Sequence, residues 1–128
     1  MSDALDKLIE AVEAGRGDAV SIFTKRLSSA ARDRGAYWPS HDVEKAFSGS
    51  LDAALAMHKA LLPGWALERL TMWPGKNGEC TAHLWGTHEQ VGERWHSAKD
   101  GRVDASAPTP ARAWLLAILR AYRQHREA

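Results

Sequence analysis

The residues with the widest chemical scope fall in one short region: the thiol Cys80 and the imidazoles of His83, His88 and His96. Thiolate and imidazole are zinc ligands, and a zinc site needs three or four of them converging at about 2.0–2.3 Å. No Cys-x-x-Cys or His-x-x-x-His spacing prepares that convergence, so no metal is expected. A regular strand would also turn Cys80 and His83 to opposite faces. Cys80 could act as a nucleophile with His83 or His96 as its base, given an anion-stabilising pocket. A small buried thiol on a strand is the stronger reading. Glu68, Glu79, Glu89 and Glu93 could serve acid–base hydrolysis, but they form no distinguishing pattern and solvated strand edges account for them. Gly75-Lys76-Asn77-Gly78 lacks the strand-to-helix context of a phosphate-cradling loop. The expectation is a protein with no catalytic residues, no cofactor and no enzymatic activity.

Binding chemistry has better candidates. Near the C-terminus Arg112, Arg123 and Arg126 fall within about 60° of one another on a helix, with Arg120 about 60° further round. Such a basic stripe could touch phosphates, aided by Lys25, Arg26, Arg32 and Arg34. Arginines in a last helical turn also suit the macrodipole, and a charged outer face is ordinary. Six tryptophans against two phenylalanines and two tyrosines suggest a core filled by indoles. The competing reading is an aromatic interface. Trp38, in the polar run Tyr37-Trp38-Pro39, is either an interface anchor or a lid folded back on the core. Trp85 and His88, around Trp85-Gly86-Thr87-His88, could likewise anchor a partner.

These residues need elements to hold them. Leu5, Leu8, Ile9 and Val12 predict a first helix, capped by Ser2 or Asp3 and ended by Gly15 and Gly17. Val20, Phe23, Leu27 and Ala31 predict a second, opened by Asp18 and stopped by Gly35. Residues 36 to 49 read as a loop with a short edge strand. Ser50 caps a third helix in which Leu51, Ala54, Leu55, His58 and Leu62 share a face, and Pro63-Gly64 ends it. Residues 65–73 and 79–85 flank the turn Pro74-Gly75-Lys76-Asn77-Gly78 and predict a hairpin. Its first strand is apolar at both parities, so both sheet faces should be covered. Arg94 to Ala98 suggests a third strand, Asp100-Gly101 a turn, and Ala105 to Pro108 a linker. Thr109 and Pro110 then open a helix with Leu115, Ile118, Leu119 and Tyr122 at helical spacing. The sum is one α+β domain over residues 1–128, a three-layer α-β-α sandwich with a small antiparallel sheet of three to four strands.

Three landmarks occur in order: Lys7-Leu8-Ile9-Glu10-Ala11; Ser50-Leu51-Asp52-Ala53-Ala54-Leu55 with Pro63-Gly64-Trp65; and Thr109-Pro110-Ala111-Arg112-Ala113. Together they resemble the phage ABA sandwich domain family of small phage and prophage proteins. The resemblance implies an α-β-α sandwich encoded by a phage or prophage, and brings no catalytic residues with it. The longer polar section from Arg32 to Ser48 and the more basic C-terminal end depart from the family pattern.

With 128 residues and 45% hydrophobic content the chain can bury a core without staples. A net charge of +1 gives no global field for nucleic acid or an acidic membrane, and one cysteine suits a reducing cytosol. An acidic, amphipathic start and no long apolar run argue against a signal peptide or membrane span. The expectation is a cytoplasmic protein of a bacterial host cell that binds a host or phage protein, as a host-defence antagonist, or sequesters a small ligand. The alternative is a nucleic-acid-binding accessory protein using the basic last helix. Acids in helix one opposite the C-terminal arginines would also suit a homodimer. The contact residues expected are Trp38, Trp85, His88, Arg112, Arg120 and Arg123.

Overall fold

A computed structural model describes the backbone of residues 3–86, 88–91, 94–97 and 101–127, and the side chains of residues 3–86 and 101–124. The helices are α1 (Asp3–Ala14), α2 (Gly17–Asp33), α3 (Ser40–Phe47), α4 (Leu51–Leu61) and α5 (Pro110–Glu127). The strands are β1 (Ala66–Leu70), β2 (Cys80–Trp85), β3 (His88–Val91), β4 (Arg94–Ser97) and β5 (Arg102–Ala107). The class is α+β, as the sequence predicts, with helices layered on a three-stranded antiparallel sheet of order β1-β2-β5. β3 and β4 form a separate antiparallel pair, so the strand expected at 94–98 exists but pairs with β3. Among the described residues no helix is long and apolar enough to cross a membrane.

The local signals act as read. Ser50 Oγ accepts from Ala53 N at 3.1 Å and opens α4, and Thr109 Oγ1 accepts from Arg112 N at 3.2 Å and opens α5. Two stretches differ from expectation. Residues 40–47 are helix α3 rather than loop, with Val43 and Ala46 buried at helical spacing behind Pro39. Residues 102–107, of which the sequence reading gives 105–107 to a linker and 102–104 to no element, are β5, whose exposed and buried positions alternate without a break. Alanine is a poor strand former, and Ala105 and Ala107 dilute the apolar half of that alternation.

Helix α5 is the centre of the molecule. Ala111, Ala113 through Leu119, and Ala121 are all buried, far more than one apolar stripe. It packs against β5 and β2 on one side and against α4, α1 and α3 on others. The sheet supplies Cys80, Ala82 and Leu84 from β2 and Val103, Ala105 and Ala107 from β5 to this core. Most of these are small, which lets α5 lie close. The opposite sheet face was expected to be covered, yet Thr81, His83 and Trp85 are only half-buried there, and Arg102, Asp104 and Ser106 are exposed. Apolar residues at both parities in β1 did not signal a second covering layer: a register shift between Leu67 and Arg69 breaks its alternation.

Two polar side chains are buried among the described residues, Thr24 and His58. His58 is 7% exposed; its Nδ1 lies 3.1 Å from Trp114 Nε1 and its Nε2 2.8 Å from the Trp65 carbonyl. An indole N–H can only donate, so the network assigns the imidazole proton to Nε2, which donates to Trp65. In α4 the buried set is Ala53, Ala54, Met57 and His58, and Leu55, expected inside, is 41% exposed.

Candidate functional site

The open sheet face carries three cross-strand pairs in register. Thr81 Oγ1 and Ser106 Oγ are 3.3 Å apart, and His83 Nδ1 meets Asp104 Oδ1 at 2.6 Å. In the third pair the Arg102 guanidinium lies 4.8 Å from the Trp85 ring centroid. Arg102 Nη2 also reaches Glu68 on β1 at 3.3 Å. Directly opposed side chains in an antiparallel ladder come close enough for such contacts without help from other elements.

β5 is an edge strand of this sheet, and α5 reaches round it. Arg120 Nη1 donates to the Asp104 carbonyl at 3.1 Å, satisfying an edge acceptor that would otherwise be open to another strand. Arg120 Nη2 lies 3.5 Å from Glu13, and Arg123 Nη1 donates to Asp6 at 3.1 Å, tying α5 to α1. Between the β5 edge and the end of α5 runs a cleft of about 450 Å³, lined by Arg102, Val103, Asp104, Arg120, Arg123 and Gln124.

A second surface lies at the tip of the β1–β2 hairpin. Thr71 N donates to the Thr81 carbonyl at 2.9 Å, and Gly75 N donates to Glu79 O at 2.9 Å, so the turn closes on its own backbone. Met72 and Trp73, between those two bonds, are 51% and 82% exposed. Trp73 was expected to join a core of indoles and is instead the most exposed of the described tryptophans; Trp38 and Trp114 are at 5% and 6%.

The six residues expected to make contacts separate. Trp38 is no surface anchor: it is buried, with Nε1 donating to Thr24 Oγ1 at 2.8 Å and its ring 5.7 Å from Tyr122. Trp85 is half-buried under Arg102 on the open face. The side chain of His88 lies outside the described residues. Arg112 stands at the other end of α5, where Nε donates to the Val12 carbonyl at 3.1 Å and the guanidinium covers Phe47 at 5.2 Å. There it caps the C-terminal end of α1, and a side chain at Gly15 would collide with it, at 2.8 Å. The stripe expected on α5 is thus divided. Arg120 and Arg123 join Arg102 at the cleft, with Trp85 beneath Arg102, and Arg112 does not.

Sequence reasoning missed Arg102, Asp104 and Trp73. The polar and apolar alternation of Arg102-Val103-Asp104-Ala105-Ser106-Ala107 was the available signal for the first two. For Trp73, no signal in the sequence separates it from its buried counterparts. Cys80 is fully buried on the inner face while His83 is on the outer one, so β2 holds them apart. No group of three potential metal ligands forms among the described residues. Compared with protein families, with curated proteins and with solved structures, the chain matches none.

Proposed function

We propose that this chain is a phage- or prophage-encoded protein of the bacterial cytoplasm that works by binding a host or phage protein and performs no chemistry of its own. The observation that carries the reading is Trp73, 82% exposed beside a half-exposed Met72 at the tip of a well-closed turn. Tryptophan and methionine are enriched where proteins meet, and a tryptophan can bury about 150–250 Å² on contact. A rigid turn loses little entropy when it docks, so such an anchor binds economically. The phage context rests on the ordered motifs around Lys7, Ser50 and Thr109, and it makes antagonism of a host-defence protein the natural role.

The nucleic-acid alternative draws less support, because the basic stripe is divided: Arg112 is turned to the Val12 carbonyl and Phe47 at the other end of α5 from Arg120 and Arg123. The test is capture of a partner from host bacteria by the tagged chain and by its Trp73→Ala variant, with and without nuclease, followed by reconstitution with the purified partner. The reading expects a stoichiometric protein whose affinity for the variant falls about tenfold or more. Recovery of nuclease-sensitive nucleic acid in its place would overturn it.

A further inference from the structure

We propose that the cleft between the β5 edge and the end of α5 binds the phosphate group of a small ligand. Three guanidiniums line it, Arg102 from the strand and Arg120 and Arg123 from the helix, with the carboxylate of Asp104 in the lining and those of Glu68, Glu13 and Asp6 paired to the arginines. The Asp104 carboxylate is held at 2.6 Å by His83 on the sheet's outer face. Guanidinium is the side chain best matched to phosphate, through paired N–H donors in a fixed fork.

The arginines are positioned in advance. Arg120 is held from two sides, by the Asp104 carbonyl and Glu13, while Arg123 is tied to Asp6, and Arg102 lies between Glu68 and the Trp85 ring. Arg102 engages Glu68 through Nη2, and Arg123 engages Asp6 through Nη1. A guanidinium carries five N–H donors on three nitrogens, so donors remain for a further acceptor. The arginines of these three ion pairs are 33% to 63% exposed and the acids 36% to 46%, a setting in which ion pairs yield readily to a dianion. Three forks from two elements suit a tetrahedral group with several peripheral oxygens better than a planar carboxylate.

The experiment titrates the full chain with inorganic pyrophosphate at moderate salt, by calorimetry and by amide chemical-shift mapping, and repeats it with a short single-stranded oligonucleotide. Binding should be saturable, with shifts centred on Arg102, Asp104, Arg120 and Arg123. Arg120→Gln with Arg123→Gln should weaken it about tenfold or more, and Arg32→Gln, an exposed charge on α2, should not. Arg120→Lys, which keeps the charge and loses the fork, should fall between. Thermal unfolding reports whether each variant is folded, and the shift map of the unaltered chain decides the matter if the double variant is not. Shifts elsewhere, equal weakening by Arg32→Gln, or oligonucleotide binding that pyrophosphate does not displace would each overturn the proposal.

Discussion

Two Trp-Pro steps, Trp38-Pro39 and Trp73-Pro74, occupy polar, turn-rich stretches of this chain, and the fold treats them oppositely. Trp38 is 5% exposed and Trp73 is 82% exposed. After α2, Gly35 adopts φ +70°, Gly35 N bonds Arg32 O, and Ala36 N bonds Ala31 O, the paired bonds of a Schellman turn. That turn sends the chain back along α2, where the indole meets Thr24, and towards α5, where it meets Tyr122. The hairpin turn at Trp73 is equally well closed, through Thr71 N and Gly75 N, yet among the described residues nothing covers the indole, which is 82% exposed. Local turn chemistry therefore settles the path of the backbone in both places. Burial depends on what the rest of the chain brings across.

The sharpest way to break this comparison is to remove the buried ring. Trp38→Ala should cost about 3–5 kcal/mol of stability, because neighbours on α2 and α5 collapse only partly into the space left. Chemical denaturation measures it, and a loss under about 1 kcal/mol would show that Trp38 is not the core residue described here. Thr24→Val comes next. It conserves shape but leaves the Trp38 N–H buried without its acceptor, a cost of about 1–3 kcal/mol by the same measurement. Tyr122→Leu keeps an apolar side chain and removes the ring pairing with Trp38, for about 0.5–1.5 kcal/mol. Combined with Trp38→Ala it should add less than its own cost, since the contact is then already gone.

The sequence was legible wherever a local rule acts alone. Ser50 and Thr109 cap as read, Pro63-Gly64 ends α4, and the hairpin forms around Pro74 to Gly78. It was misread where a weak signal needed tertiary context. β5 buries alanines, which look like linker, and α3 follows a proline and spans only eight residues, Ser40–Phe47. The open sheet face was hidden because β1 is apolar at both parities, while its register shift is a property of pairing and not of composition. At the candidate cleft, Arg120 and Arg123 were visible as helix periodicity. Their meeting with Arg102 depends on α5 crossing the β5 edge, which no spacing along the chain encodes.

The smallest expected change in stability comes from Trp73→Ala, and it carries the most weight for function. An 82% exposed indole makes little native contact, so its removal should alter stability by under about 0.5 kcal/mol. Collisional quenching offers a second reading of the same difference. Trp73→Phe should lower the fraction of tryptophan emission accessible to iodide, while Thr24→Val should leave that fraction unchanged in the folded protein. A stability loss as large as that of Thr24→Val would mean that the hairpin tip packs against something, and Trp73 would cease to be an interface anchor. If stability holds and partner affinity falls, the two Trp-Pro steps divide the work: one indole closes the gap between α2 and α5, and the other stays in water until a partner removes it.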